Sequence, residues 1–478
     1  MIKVLFAAGE CEPFIKTGGL ADVLGSLPKQ LSNYGVDARV IIPKYSDIPE
    51  HLRAQMKHIT SFTVKVGWRE QFCGIEQLEY KGIIYYFVDN EYYFNRNGIY
   101  GFADDGERFA FFCRAILDCL IKIDFKPDVI HLNDWHTGPV SVLLKEQYRD
   151  NPFYDGIKTF FTIHNLKYQG IFSKDCLSDF FNLPEYLFTE DKLEFHGNAN
   201  YLKWGLVYSD IISTVSETYA EEIQNEYFGE GLDGVLKARR NDLYGIINGI
   251  DYDIYDPNHD PYITTNYSKN GAKALQNKEK LQEVLNLPKR PEVPIICMIS
   301  RLVEQKGCDL VTAIFAELVN MDVQIVILGS GLEKYENCFT NEAAHHKNIS
   351  INILFDNTLA HKIYAGADFI LMPSIFEPCG LSQLIALSYG TIPIVRETGG
   401  LNDTILSYNE DTRTGNGLSF KNINAHDMLF TIKRGLKLYQ DKDNWNSLIK
   451  NAMKSDFSWH RSAQKYIYLY KYITDKRN

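Results

Sequence analysis

The sequence predicts two doubly wound α/β domains in tandem, facing one another across a deep cleft. Three observations carry that expectation. Short apolar runs alternate with amphipathic stretches along almost the whole chain. One pattern occurs near each end, as Thr17-Gly18-Gly19-Leu20-Ala21-Asp22 and as Thr398-Gly399-Gly400-Leu401-Asn402-Asp403. A polar, proline-bearing stretch over 256–294 separates the two halves, and the 478 residues exceed one ordinary core.

Taken in order, the runs at 4–8, 129–132, 159–163, 211–215, 246–248, 295–299, 323–328, 369–372 and 392–395 read as strands. Continuous β-branched stretches of that length suit a parallel sheet covered on both faces. Strand and helix alternating twice over argues for two doubly wound sheets. After the first run, Leu20, Val23, Leu24, Leu27 and Leu31 fall on one helical face. Both glycine pairs therefore open helices. Residues 91–107, with Asn95, Asn97, Gly98, Gly101, Asp104, Asp105 and Gly106, read as a long loop, and such loops often carry function. The hinge is expected just before or within 256–294, where Asn258, Asp260, Asn266, Ser268 and Asn270 cluster.

Fifty Lys and Arg against 61 Asp and Glu leave a net charge of -11, so an anion site must be local against a repelling background. That balance argues against nucleic acid as a main partner. The nine cysteines are scattered with no paired CxxC spacing, which suits a reducing cytoplasm and argues against zinc. The first apolar run is broken by Glu10 and Glu12, too early for a signal peptide, and no long uncharged apolar run follows. A cytoplasmic protein with no membrane partner is expected. Aromatics reach 13%, and planar rings also suit sugars, whose C–H faces stack on them.

In open α/β sheets ligands bind beyond the carboxyl ends of strands. That rule selects Asn133-Asp134-Trp135-His136, His164-Asn165, Asn248-Gly249, Ser300-Arg301 and Ser374 with Glu377. A glycine pair at a helix start exposes N–H groups, and the helix dipole favours anions there. Lys16 adds a positive charge beside Gly18 and Gly19; Gly399 and Gly400 read equally well as an ordinary strand-to-helix turn. Arg301 and Lys306 share one loop and can bracket a phosphate, the alternative being a solvated surface pair. Glu377, ahead of Pro378, Cys379, Gly380 and Leu381, can accept sugar hydroxyls or stabilise positive charge growing on a sugar carbon; the alternative is a solvated turn carboxylate. Cys379 reads as a packed or lining residue. A lone His164 is ordinarily structural, but Asp134, His136 and Asn165 at neighbouring strand ends favour function.

Together these stretches resemble the bacterial glycogen synthases and plant starch synthases, glycosyltransferases of the two-Rossmann (GT-B) class. The likeness runs through Lys16-Thr17-Gly18-Gly19-Leu20, Asn133-Asp134-Trp135-His136, His164-Asn165, Asn248-Gly249-Ile250-Asp251, Ser300-Arg301-Leu302 with Gln305-Lys306-Gly307, and Glu377-Pro378-Cys379-Gly380-Leu381. It implies transfer of glucose from ADP-glucose to the 4-hydroxyl at the non-reducing end of an α-1,4-glucan, with retention and with no metal or other cofactor. Lys16, Gly18 and Gly19 would hold the donor, with Asn248, Cys379, Gly380, Leu381, Gly399 and Gly400. Arg301 and Lys306 would neutralise the departing diphosphate, and Glu377 would stabilise the glucosyl group. His164 and Asp134 would contact the transferred glucose; Tyr100, Trp135, His136 and Asn165 would lie on the acceptor side. The implied division is 1–248, 249–456 and a helix over 457–478, with Tyr466, Tyr468 and Tyr470, that returns to the N-terminal domain. Ile385 stands where many retaining relatives carry a second glutamate, and Ile375 where many bacterial relatives carry an arginine. Donor preference for UDP-glucose, an inactive sugar-nucleotide or glucan binder, and a pyridoxal-dependent phosphorylase are the rival readings; the oligomeric state stays open.

Overall fold

The alternating runs fold as two α/β units, one formed by Met1–Ile246 with the chain from Trp459 onward, the other by Ile247–Ser458. The divisions thus fall at 246/247 and 458/459 rather than 248/249 and 456/457. The computed structural model describes residues 1–268 and 273–475. Asn270 and the last three residues of the expected terminal helix lie outside that range.

The first unit is built on a nine-stranded sheet. From one edge its order is Leu243–Gly245, Ile211–Thr214, Lys158–Ile163, Val129–Asn133, Lys3–Ala7, Asp37–Pro43, Ile83–Asp89, Arg69–Tyr80 and Lys57–Val66. The first seven run parallel, and the last two form an antiparallel hairpin. The strand order reverses between Lys3–Ala7 and Val129–Asn133, which makes their carboxyl ends the natural ligand site. The helix Gly19–Ser32 buries Leu20, Val23, Leu24, Leu27 and Leu31 on the predicted face. The run 246–248 forms no strand; the edge strand closes at Gly245, where a Cβ would stand 2.4 Å from the Ser216 carbonyl oxygen. Residues 91–107 are not one loop either. Asn90 caps a short helix, Glu91–Phe94, by accepting the Tyr93 N–H, and Asp105 and Glu107 favour the first turn of the helix Asp105–Lys122.

The second unit is a six-stranded parallel sheet in the order Ile349–Asn352, Gln324–Leu328, Ile295–Ile299, Phe369–Met372, Ile392–Arg396, Leu418–Phe420. Numbered within the unit this is 3-2-1-4-5-6, the Rossmann order, with its reversal between Ile295–Ile299 and Phe369–Met372. The polar stretch, expected to hold the hinge or to follow directly after it, is part of this unit. Tyr267 donates to the Tyr389 carbonyl at 2.8 Å, Asp260 accepts His361 Nδ1 at 2.7 Å, and Lys278 pairs with Asp368 at 2.7 Å. Its polarity serves internal hydrogen bonds, and the division lies ahead of it.

The terminal helix Trp459–Asp475 packs on the first unit with Tyr466 and Tyr470 fully buried. His131 hydrogen-bonds Tyr470 Oη and Thr162 Oγ1, each at 2.6 Å, tying the helix to two central strands. Tyr468, expected among the docking rings, faces solvent.

Candidate active site

In the second unit the loop after Phe369–Met372 buries Glu377, whose Oε2 accepts Lys306 Nζ at 2.5 Å and Ser374 Oγ at 2.9 Å. Lys306 ends a single turn, Glu304–Lys306, that closes on Gly307 at φ +72. A Cβ on Gly307 would stand 2.1 Å from the Pro373 carbonyl oxygen, so only glycine lets the two loops touch. Sequence reasoning thus found three residues, Lys306, Ser374 and Glu377, that the fold brings together. Arg301 stands exposed at the carboxyl end of Ile295–Ile299. Burial pushes the Cys379 thiol up to about 12, with the Asn248 N–H bonded to it, so Cys379 is a packed, inert thiol as expected. Asn248 Oδ1 is buried without a hydrogen-bond partner among the described residues, as a ligand-facing acceptor would be.

Of the two readings of the second glycine pair, the turn between strand and helix is the one its geometry fits. The Gly400 N–H donates to the carbonyls of Glu377 at 3.0 Å and Pro378 at 3.2 Å. A Cβ on Gly399, at φ +44, would meet Glu377 O at 2.0 Å, and one on Gly400 would meet Cys379 O at 2.1 Å. These glycines let the turn lie against the loop that carries Glu377, and the Gly400 N–H is not held out for an anion.

In the first unit Glu10, read above only as a break in an apolar run, occupies the first helix start. Its Oε2 accepts the N–H of Thr17 at 2.5 Å, the Thr17 hydroxyl at 2.8 Å and the N–H of Gly18 at 3.3 Å. Burial raises its carboxyl above the ordinary range against those bonds. The Gly18 N–H is therefore engaged, and Lys16 Nζ pairs with Asp22 at 2.6 Å. The acid seven residues ahead of Thr17 was the available signal, because a glycine-rich helix start selects a carboxylate as readily as a phosphate.

The carboxyl ends of Val129–Asn133 and Lys158–Ile163 place Asp134, His164 and Asn165 together. Asp134, at φ +56, accepts the His164 N–H at 2.8 Å and also the Asn165 N–H. Burial nevertheless lifts its carboxyl to about 7. Burial lowers His164 to about 3, so its ring is neutral. Asn133 Nδ2 donates to the carbonyls of Ala7 and His131, which turns its Oδ1 toward His164 Nε2 at 2.9 Å. Nε2 then carries the proton and Nδ1 is left as an acceptor. Beside them Tyr100 stacks on His136, ring centroids 4.6 Å apart, and Trp135 lies 4.1 Å from the same ring. Tyr100 Oη and both His136 nitrogens are buried with no hydrogen-bond partner among the described residues. Burial lowers His136 to about 3, leaving a neutral, polar wall at the switch point. Gly9 admits it: a Cβ there would meet Tyr100 Oη at 2.8 Å.

Residues 3–238 match the family described as starch synthase catalytic domain, and residues 277–454 match glycosyl transferases group 1. The glycogen synthase of Desulforamulus reducens is 56% identical over 98% of both chains. The chain belongs to the glycogen and starch synthase family. A second member, the glycogen synthase of Geobacillus stearothermophilus, is 54% identical over 99% of this chain and 98% of its own. The family fold is equally clear in the catalytic domain of starch synthase IV from Arabidopsis thaliana bound to ADP and acarbose, with a TM-score of 0.92, 31% identity and 99% coverage of each chain. Sucrose-phosphate synthase from Thermosynechococcus elongatus, at 15% identity and a TM-score of 0.62, shares the fold alone. The two-Rossmann GT-B class expected from the motifs is thus the class of this family member. Among its described residues no helix is long and apolar enough to cross a membrane, and no cluster of three His, Cys, Asp or Glu could hold a metal ion.

Proposed function

We propose that this family member transfers glucose from ADP-glucose to the non-reducing 4-hydroxyl of an α-1,4-glucan, retaining the configuration of the sugar carbon. The observation that carries the chemistry is the buried Lys306–Glu377 pair braced by Ser374. The family supplies the substrates: relatives above half identity are glycogen synthases, and the starch synthase structure holds ADP and acarbose.

As the bond from glucose C1 to the phosphate oxygen stretches, negative charge gathers on the diphosphate and positive charge on the sugar. The Arg301 fork and the Lys306 ammonium neutralise the first, taking the part a metal plays elsewhere. The Glu377 carboxylate stabilises the second. With Ile385 in place of a second glutamate, the acceptor oxygen bonds C1 from the face the phosphate leaves, and its proton passes to the departing phosphate oxygen. Neutral His164, with Nδ1 as acceptor, and Asp134 hold sugar hydroxyls. Lys16 reaches the donor phosphates by exchanging Asp22 for them. Phe355, 78% exposed just past the strand Ile349–Asn352, offers its ring to the nucleotide base. All nine cysteines are free thiols, which suits the reducing cytoplasm in which we place the protein.

The test is nucleotide release from ADP-glucose and UDP-glucose, supplied separately with glycogen in excess EDTA. ADP release undiminished by EDTA, and cut about 100-fold or more in Lys306→Ala, is the expected result. Greater release from UDP-glucose moves the donor, a requirement for divalent metal removes the metal-free step, and no release from either leaves a binding protein.

A further inference from the structure

Arg396 ends the strand Ile392–Arg396 and is buried, with 5% of its surface exposed. Its strand lies between Phe369–Met372 and Leu418–Phe420, and the register sets Val395 beside Met372 and Arg396 beside Phe420. The side chain therefore starts where both neighbouring strands end. It donates from Nε to the Ser374 carbonyl at 2.7 Å, from Nη2 to the Ile375 carbonyl and from Nη1 to the Lys421 carbonyl at 3.4 Å. A planar fork of donors can hold two loops at once in this way, which a compact ammonium cannot.

One of those loops is the run into Glu377. Past Met372 the chain has left the sheet, and its main-chain carbonyls need donors from elsewhere. Three in succession find them in side chains: Ser374 and Ile375 in Arg396, Phe376 in Gln305 Nε2 at 3.4 Å. The Gln305 bond is long, and the charged guanidinium makes the stronger contacts. They go to main-chain oxygens, so they are made whatever side chain stands at 375, here an isoleucine. The same strand end leads into Gly399 and Gly400, which meet the carbonyls of Glu377 and Pro378.

Charge movement during transfer gives this hold its purpose. Glu377 Oε2 has two side-chain partners, Lys306 Nζ at 2.5 Å and Ser374 Oγ at 2.9 Å. An ammonium that neutralises a departing diphosphate is drawn away from the carboxylate, and Ser374 is then the partner that stays. Its hydroxyl is only as fixed as its main chain, which Arg396 grips at the carbonyl of the same residue.

We propose that Arg396 is a positioning residue for the transfer step, keeping Ser374 and Glu377 in place while Lys306 turns to the phosphates. This rests on the reading of Glu377 as the carboxylate that stabilises the glucosyl group.

The experiment measures kcat, the KM for ADP-glucose and the melting temperature of Arg396→Ala, Arg396→Lys and Arg434→Ala. Arg434 is the control, because it too donates to a main-chain carbonyl of this unit, that of Tyr408, while pairing with Glu410. Arg396→Ala should lower kcat by about 10- to 100-fold, the scale of a reacting group misplaced by about 1 Å, with KM within about twofold of parental. Arg396→Lys should recover part of that loss, and guanidinium added below denaturing concentration should raise the rate of Arg396→Ala. Arg434→Ala should lower the melting temperature and leave kcat at the parental value. Should Arg396→Ala not fold, Arg396→Lys decides, by a kcat lowered about threefold or more at parental KM. Parental kcat in the folded Arg396 variants overturns the proposal, as does an equal fall in Arg434→Ala, or a loss that neither lysine nor guanidinium relieves. Failure of both Arg396 variants to fold overturns it too, making the residue purely structural. Failure of the Glu377 reading shows separately, as parental kcat in Glu377→Gln.

Discussion

Asp134 concentrates the physics of the site in one residue. Its backbone lies in the left-handed region, which Asp and Asn tolerate and which costs most other residues about 1–2 kcal/mol. Its carboxylate accepts two main-chain N–H groups, and burial still lifts it to about 7. Between the ordinary carboxylate value of 3.8 and about 7 the native state keeps a proton that the unfolded chain has released. Stability contributed by this group therefore falls as pH rises through that window, and the penalty is complete above it. Asp134→Asn keeps the backbone and both N–H bonds but carries no charge. It should unfold at a higher temperature than the parent at pH 8, with the difference shrinking toward pH 5 and with transfer activity lost; a difference independent of pH in thermal melts would contradict the assignment. Asp134 was legible as a polar residue past a strand. Glu10 left only a faint signal, an acid seven residues ahead of Thr17, because its partners, the N–H groups of Thr17 and Gly18, are met only when the loop folds back.

At the scale of elements, the repeated Thr-Gly-Gly-Leu-x-Asp turn shows one pattern kept for two reasons. Gly18 is extended, at φ -153, and a Cβ there would meet Glu10 Oε1 at an ordinary 3.7 Å. Its N–H serves the Glu10 carboxylate. Gly399 is left-handed and pressed against Glu377 O, so its lack of a side chain is what positions the loop bearing Glu377. Gly399→Ala must push that loop away, and displacement of a reacting group by about 1 Å can cost on the order of 100-fold. We expect kcat to fall at least tenfold with a lowered melting temperature, whereas Gly18→Ala keeps its melting temperature. Equal effects of the two substitutions on melting would show that the copies are equivalent after all. The strands were legible where they are buried on both faces, as in Val129–Asn133 and Ile295–Ile299. The hairpin Lys57–Val66 and Arg69–Tyr80 was not, since one face meets solvent and no continuous apolar run marks it.

Over the whole molecule, the first unit is discontinuous in sequence, because its last helix arrives after the entire second unit. Tyr466 and Tyr470 cover His131 and Phe160, with Tyr470 and Phe160 ring centroids 5.4 Å apart. A chain ending at Ser458 should lose hydrogen-exchange protection in Val129–Asn133 and Lys158–Ile163 while Ile295–Ile299 and Phe369–Met372 keep theirs; undiminished protection in the first pair would show that the helix is dispensable. By itself the sequence determined the two α/β units, the strand ends that carry polar residues, and the family, since each is written in local runs and contiguous motifs. Tertiary structure decided which groups are paired or left bare: Glu10 on the first helix start, Gly400 turned inward to Glu377, Tyr468 outward. Those outcomes depend on the approach of segments far apart in the chain, where the presence or absence of one Cβ chooses between contact and clash, and local pattern carries no record of that distance.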